Sequence, residues 1–226
     1  MNARLAAALG AGFLFLLGTT PLRAEDFHVE WDKAFPTRSA PENVYFRARY
    51  SDHGGNNHQL QVWRQADVRL RRTTDNAIDL YVEKDAHGDY AYEVVDHARQ
   101  VIINADRTTL YRIGTYSDWL GLAHVLNTPR GGYRIEQSAN APNVTPNGEC
   151  RWYRLDTELP SSHANEICWS ERWGLPLEIR VRTDADAWVT RFTIEEVRAF
   201  DPDPNIFKAE NGFLHIDATP DEEPFD

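Results

Sequence analysis

The stretch that decides the fold begins with VYFRARY at residues 44–50 and continues with LQVWRQ at 60–65, VRLRR at 68–72 and IDLYVE at 78–83. Apolar and polar side chains alternate in each segment. Side chains on a strand point to opposite faces with a period of two, so the pattern predicts strands with one apolar and one polar face. The turns between them are rich in Gly, Asn and Asp, which close hairpins. Consecutive antiparallel strands are therefore predicted for residues 44–113, the later ones at 90–96, 101–104 and 109–113.

The apolar face of this sheet is the candidate binding surface. It is predicted to carry a broad wall of apolar and aromatic residues: Phe46, Tyr50, Leu60, Val62, Leu70, Leu80, Tyr92 and Val94. The period changes after residue 116, where Ser117 or Thr115 can cap a short helix with Trp119, Leu122 and Leu126 on its apolar side. This helix can act as a lid or plug. The alternative is that wall and helix simply pack together as an ordinary core.

The first residues have the pattern of a secretory signal. A basic Arg4 precedes an apolar run that ends in small residues, which predicts a signal peptide over 1–24 with cleavage after Ala24 and export to the periplasm. A retained membrane anchor is the alternative. Residues 25–220 are predicted to form a single domain, and the acidic residues 221–226 a disordered tail.

Charge and cysteine content narrow the possible partners and the compartment. The net charge of −11 argues against nucleic acid and anionic lipid surfaces as main partners. Cys150 and Cys168 both lie in the exported part, where disulfides persist, so we predict a bridge between them, with two free thiols as the alternative. Later strands are predicted over 152–156, 165–170, 177–181 and 188–200. The last is expected to bulge near residues 195–196, and residues 212–216 can add an edge strand. Residues 25–43 fit either a strand or a helix.

A group of arginines on the alternating strands has two possible roles: Arg47, Arg49, Arg64, Arg69, Arg71 and Arg72. They can hold the headgroup of a ligand at the rim, but more often such residues form the solvated face of a sheet and pair with carboxylates. The second role is favoured here.

No catalytic or cofactor motif stands out in the sequence. There is no nucleophile elbow, zinc-binding helix pair, Cys-x-x-Cys or phosphate-binding glycine loop, so an enzyme, a cofactor and a resident metal are not expected. Asp52, His53 and His58 lie close together in one turn, which is also typical of a polar hairpin tip. Ser117 and His124 lie about two helical turns apart, too far to form a nucleophile and base pair.

Two segments resemble a known family. LQVWRQ at 60–65 followed by VRLR at 68–71 looks like its paired strands, and WSERWGLPLEI at 169–179 looks like its strand, turn and Gly-Leu-Pro-Leu sequence. In these segments, and in the order of signal peptide, strands and short apolar helix, the chain resembles the periplasmic lipoprotein-carrier superfamily, which includes LolA, LolB and the amino-terminal domain of RseB.

The resemblance implies a mainly β fold, an open antiparallel half-barrel of about eleven strands with a short lid or plug helix. It implies a carrier or chaperone that binds a lipid, a lipoprotein acyl chain or another hydrophobic ligand in its concave face, without catalysis. By similarity, Arg64 holds the lid and helps to control its opening. The alternatives are an RseB-like envelope signalling module, whose partner is a protein of the inner or outer membrane, and an unrecognised hydrolase.

Overall fold

The computed structural model describes residues 29–52, 54–112, 118–129, 131–138, 144–158, 165–183, 185–209 and 212–218. The predicted signal peptide over 1–24 and the predicted acidic tail over 221–226 lie outside these residues. The helices are α1 Trp31–Ala34, α2 Arg107–Arg112 and α3 Trp119–His124, with a 3-10 helix at Pro204–Phe207. The strands are β1 Asn43–Ser51, β2 Asn57–Gln65, β3 Arg69–Thr74, β4 Ile78–Lys84, β5 Tyr90–Asp96, β6 Val101–Ala105, β7 Tyr133–Gln137, β8 Val144–Thr145, β9 Gly148–Glu149, β10 Arg151–Thr157, β11 Asn165–Ser170, β12 Leu175–Arg182, β13 Trp188–Ala199 and β14 Leu214–Asp217.

Twelve of the described strands form one sheet in the order β14-β6-β5-β4-β3-β2-β1-β13-β12-β11-β10-β7, and β8 and β9 form a separate hairpin. All pairings are antiparallel except that of β14 with β6. The two end strands of the large sheet do not pair with each other, so the sheet is open. The prediction of a mainly β, open antiparallel half-barrel is confirmed, and its sheet has twelve of the described strands where about eleven were expected.

The first six strands form the predicted meander, each paired with its neighbour in sequence. The strand predicted over residues 109–113 is wrong for the part that the structure describes, because Thr109 lies in α2. The carboxylate of Asp106 accepts a hydrogen bond from the backbone N–H of Thr109 at 2.6 Å. Such a contact at the first turn satisfies a free N–H group and favours a helix start.

The strand β13 joins the two halves of the sheet by pairing with β1 on one side and β12 on the other. Arg47 lies opposite Glu196 and Ala48 opposite Ile194, so Glu195 is the extra residue of a bulge. This confirms the bulge predicted near residues 195–196. A bulge bends the strand and increases local twist, which helps the sheet to curve.

The outer face of the sheet is not uniformly solvated as the alternation had suggested. Opposite the concave face, Tyr81, Val95 and Ile102 are buried and contact Ala209 and Phe213 from the C-terminal part of the chain. This segment leaves β13, crosses the outer face and adds β14 beside β6. The predicted edge strand is present, but its pairing is parallel because the chain has crossed the sheet to reach it.

A second cluster resolves the ambiguity of the N-terminal residues. The short helix α1 and the following Phe35 pack on the sheet near β10 and β11, where Phe35 contacts the rings of Tyr153 and Trp169. The indole N–H of Trp169 donates a hydrogen bond to the carbonyl of Pro36 at 3.2 Å. A helix is therefore the conformation of residues 31–34.

The predicted disulfide between Cys150 and Cys168 is confirmed, with both residues buried and their Cα atoms 5.3 Å apart. It ties the start of β10 to the neighbouring strand β11. Among the described residues, no helix has the length and apolar character needed to cross a membrane.

Candidate ligand-binding site

The floor of the candidate site is a row of side chains that crosses four strands on the concave face. Arg72 on β3 lies opposite Leu80, Leu80 opposite Val94, and Val94 opposite Ile103 on β6. Adjacent strands are about 4.8 Å apart, so the row is roughly 14 Å long. The next row inward places Val82, Tyr92 and Ala105 side by side. Because side chains alternate, both rows face the same side.

The helix α3 covers the concave face. The side chain of Asp118 caps it by accepting a hydrogen bond from the backbone N–H of Gly121 at 2.9 Å. The cap is therefore Asp118, whereas the predicted caps Thr115 and Ser117 lie outside the described residues. Leu122 and Ala123 are buried against the sheet, while Leu120 is 41% exposed and does not belong to the apolar side.

The other two predicted lid residues have different surroundings. Trp119 packs at the edge of the main core and stacks on Tyr90, with 5.1 Å between the ring centroids. Leu126 lies beyond the end of α3 and packs instead in the cluster that contains Phe35. The segment from Trp119 to Leu126 is therefore anchored at its two ends to different parts of the sheet.

An apolar cavity of about 570 Å³ remains between the sheet and the helices. Its lining comes from strands β3 to β6, from α2 and α3, and from the residue after β14: Arg72, Thr74, Ile78, Leu80, Tyr92, Val94, Ile103, Ala105, Thr109, Leu110, Leu122 and Ala218. The lid therefore fills one part of the concave face and leaves another part open.

The predicted apolar wall divides accordingly. Its members Leu80, Tyr92 and Val94 line the cavity. The rest pack in the main core, with Tyr50 partly buried and the others fully so: Phe46, Tyr50, Leu60, Val62 and Leu70. These five residues therefore pack as an ordinary core, which was the alternative to a binding wall. Whether the wall binds a ligand stays a prediction.

A buried polar contact joins α3 to the sheet. Arg64 is 3% exposed, and its Nη1 donates to the carbonyl of Ala123 at 3.3 Å. His124, at the end of α3, has Nδ1 2.7 Å from the carbonyl of Gly174 and 2.8 Å from Arg64 Nη1, while its Nε2 lies 3.3 Å from the same Nη1. The carbonyl can only accept, so Nδ1–H donates to Gly174, and Nε2 is then the ring nitrogen that can accept from Arg64. We call Arg64, His124 and the Gly174 carbonyl the latch.

Burial determines the charge state of the latch. Desolvation lowers the pKa of Arg64 to about 10, so it stays charged at neutral pH. Desolvation, and then the nearby Arg64 charge, lower the pKa of His124 to about 4, so its ring is neutral and can accept from the arginine.

Gly174 has a φ of +60°, and a Cβ there would lie 3.0 Å from that of Ala40, so glycine suits this turn.

The arginine group is also divided by the fold. On the outer face, these residues form ion pairs with carboxylates, as favoured from sequence: Arg47 with Glu195 and Glu196, Arg49 with Glu195, Arg69 with Glu83, and Arg71 with Asp79. The solvated-face interpretation is wrong for Arg64 and Arg72, which point to the concave face. The sequence does indicate this position, because Arg64 and Arg72 occupy the same alternating positions on their strands as the residues of the apolar wall.

The turn around Asp52 forms a local ionic cluster. The His58 Nδ1 atom lies 2.6 Å from Asp75 Oδ2, and Nε2 lies 3.4 Å from Asp52 Oδ2. Hydrogen bonds to these two carboxylates, first Asp75, raise the pKa of His58. His53 lies outside the described residues, and no group of metal-ligating side chains occurs among those that are described.

Scans against protein-family models and against curated proteins find no match. Solved structures do superpose. The fold is shared with an uncharacterized conserved protein from Thermus thermophilus, at a TM-score of 0.51 and 8% identity, over 82% of this chain and 93% of that one. A MucB structure superposes with a TM-score of 0.42 at 13% identity, over 78% of this chain and 60% of that one. A chain of the Pseudomonas aeruginosa MucA/MucB complex superposes with a TM-score of 0.42 at 12% identity, over 74% of this chain and 56% of that one. The chain spans less than two thirds of the matched chain in each of these last two structures.

Proposed function

We propose that this protein is a periplasmic carrier or chaperone that binds a hydrophobic or lipidated ligand on the concave face of its open half-barrel. The observation that carries the proposal is the apolar cavity of about 570 Å³ beneath α3. Cavities that hold small ligands are typically about 300–1,000 Å³ and mostly apolar. The proposed activity is non-covalent binding, with no catalytic step.

The driving force would be burial of an alkyl chain. Each CH₂ group moved from water into an apolar site contributes roughly 0.8 kcal/mol. Leu80, Val94 and Ile103 offer such a surface without the need for directional contacts. A chain of moderate length therefore gains useful affinity, less the cost of its own ordering.

The lid would control access. Leu122 lines the cavity from α3, and the same helix carries Ala123 and His124, which contact Arg64. Movement of α3 would therefore both uncover the cavity and break the latch. A closed lid excludes water from the bound chain, and opening allows exchange. In this proposal, Arg64 holds the lid.

The compartment follows from the proposed signal peptide and from the disulfide. Bridges such as Cys150–Cys168 persist in oxidising compartments, including the bacterial periplasm. Acyl chains of envelope lipids and lipoproteins would be the ligands available there.

The experiment is native mass spectrometry of protein exported and purified without detergent, followed by titration with a fluorescent acyl probe. We expect the wild type to carry lipid or to bind the probe. Val94→Trp fills the cavity and should weaken probe binding at least about tenfold, while Val189→Trp, at an exposed position on β13, is the matched control. A wild-type protein that is consistently empty and has no affinity for acyl probes would remove the proposal.

A second candidate function is a protein-interaction module of envelope signalling. It is favoured by β14, whose side chains Leu214 and Ile216 are 64% and 43% exposed at an end of the sheet. Exposed edge strands can pair with an extended segment of a partner. Here, Leu214→Asp with Ile216→Asp should abolish cross-linking to an envelope membrane protein, and Val94→Trp should leave it unchanged. The opposite pattern would assign the partner to the cavity.

A further inference from the structure

The cavity contains a charged side chain at one end of an otherwise apolar floor. Arg72 lies on β3 between Leu70 and Thr74 on the concave face, and it is the charged residue among the described lining. The remaining polar contributions come from the hydroxyl groups of Thr74, Thr109 and Tyr92. A guanidinium group stays ionised and offers a planar fork of donors that suits an oxyanion.

Arg72 has no carboxylate within ion-pair distance in the part of the chain that the structure describes. Its polar contact is with the phenol of Tyr50, and desolvation lowers its pKa. The arginines before it on the same strand are different, because Arg69 pairs with Glu83 and Arg71 with Asp79 on the outer face. A partly desolvated cation without a counter-ion is unfavourable unless something else supplies the negative charge.

The position of Arg72 fits a ligand with a head and a tail. Its cross-strand neighbour is Leu80, and the row continues to Val94 and Ile103, all apolar, for roughly 14 Å. On the other side of Arg72, towards the β3–β4 turn, Thr74 lies opposite Ile78, which is 37% exposed. Arg72 therefore lies one same-face position from the partly exposed end of β3 and β4.

We infer that the cavity binds a single-chain anionic amphiphile, with the oxyanion head on Arg72 and the alkyl chain along Leu80, Val94 and Ile103. The head is a carboxylate, as in a free fatty acid, or a phosphate, as in a single-chain phospholipid. This inference rests on the proposed function and names its ligand class. The protein's net charge of −11 repels anions at long range, so selection of an anion requires a local cation such as Arg72.

The first test uses the wild-type protein and ligands that share one chain. Dodecanoate, dodecyl phosphate, dodecanol and dodecyltrimethylammonium compete against a fluorescent alkyl probe at about pH 8, where carboxylates are ionised. At least one of the two anions should bind at least about tenfold tighter than dodecanol, and the cation should bind more weakly than dodecanol. Whichever anion is preferred identifies the head as carboxylate or phosphate. If dodecanol matches both anions, the inference is overturned while the proposed function stands.

The second test uses variants on the same strand. Arg72→Met keeps an unbranched apolar stem without the charge and should lower the affinity for the anions far more than the affinity for dodecanol, which removes the preference for anions. Arg69→Met, on the outer face, is the matched control and should keep the preference. Arg72→Lys retains the charge without the fork and should give an intermediate preference.

The proposed function and the ligand class fail in different ways. If no dodecyl compound binds the wild type, the proposed function fails and the inference with it. If the compounds bind but Arg72→Met, shown to be folded by its thermal midpoint, keeps the full anion preference, the inference alone is overturned. Should Arg72→Met not fold, the wild-type ligand series and Arg72→Lys decide the result.

Discussion

The latch makes a quantitative prediction about acid stability. His124 is 8% exposed and has a folded-state pKa of about 4, compared with about 6.5 in an unfolded chain. Between these two pKa values, His124 binds a proton in the unfolded chain but not in the folded protein. The stability contributed by the neutral His124 is therefore fully present above about pH 6.5 and is lost as the pH falls towards 4. The whole shift corresponds to about 3 kcal/mol, and the part lost between about pH 7.5 and about pH 5 is about 2 kcal/mol.

The measurement is the free energy of unfolding in urea across this pH range, for the wild type and for His124→Gln. Glutamine can donate an amide N–H towards the Gly174 carbonyl, but it does not titrate. The variant should therefore lack about 2 kcal/mol of the acid-dependent loss. His58 should have the opposite effect. Its pKa is raised in the folded protein, so its contribution to stability increases as the pH falls and the ring becomes protonated. Equal losses in wild type and His124→Gln would refute the assignment of a neutral, buried His124.

The other predictions concern the lid and the disulfide. Leu122→Ala removes a buried lid side chain and should lower the free energy of unfolding by about 2–5 kcal/mol while enlarging the cavity, measured by denaturation and by uptake of a bulkier probe. Asp118→Ala removes the cap on α3 and should cost about 1 kcal/mol, detected as faster hydrogen exchange at the Gly121 amide, with Asp118→Asn nearly neutral. Reduction of Cys150–Cys168, or Cys168→Ala with Cys150→Ala, should cost about 3 kcal/mol, visible as a lower thermal midpoint; an unchanged midpoint would contradict it.

The sequence predicted those parts of the fold that depend on strand period and local turns. The alternation from Val44 to Val94 identified the meander and its concave face, and the paired acidic residues at 195–196 marked the bulge. Strand parity would have placed Arg72 on the concave side, but its charge led to the solvated-face prediction, which was wrong. The polar residues around it gave no reason to override that preference.

The remaining features depend on contacts between distant residues. Arg64 and His124 are 60 positions apart, and nothing local in either segment indicates that they meet. The burial of Tyr81 on the outer face follows from contacts with Ala209 and Phe213, which come much later in the chain. The period of a strand identifies two faces, but it does not tell which of them another segment will cover. For α2, a short run of threonines and an apolar residue fits strand and helix alike.

The pairing of β1 with β13 determines which parts of the sheet can form first during synthesis. Val44 is paired with Ala199, so one edge of β1 stays unpaired until β13 has been synthesised. Until then its backbone edge is available to other extended chains, which is the usual route to aggregation. Local hairpins can form early, whereas completion of the sheet is slow because its contacts span most of the polypeptide. A chaperone that meets the chain before β13 has been made would therefore act mainly on this open edge of β1.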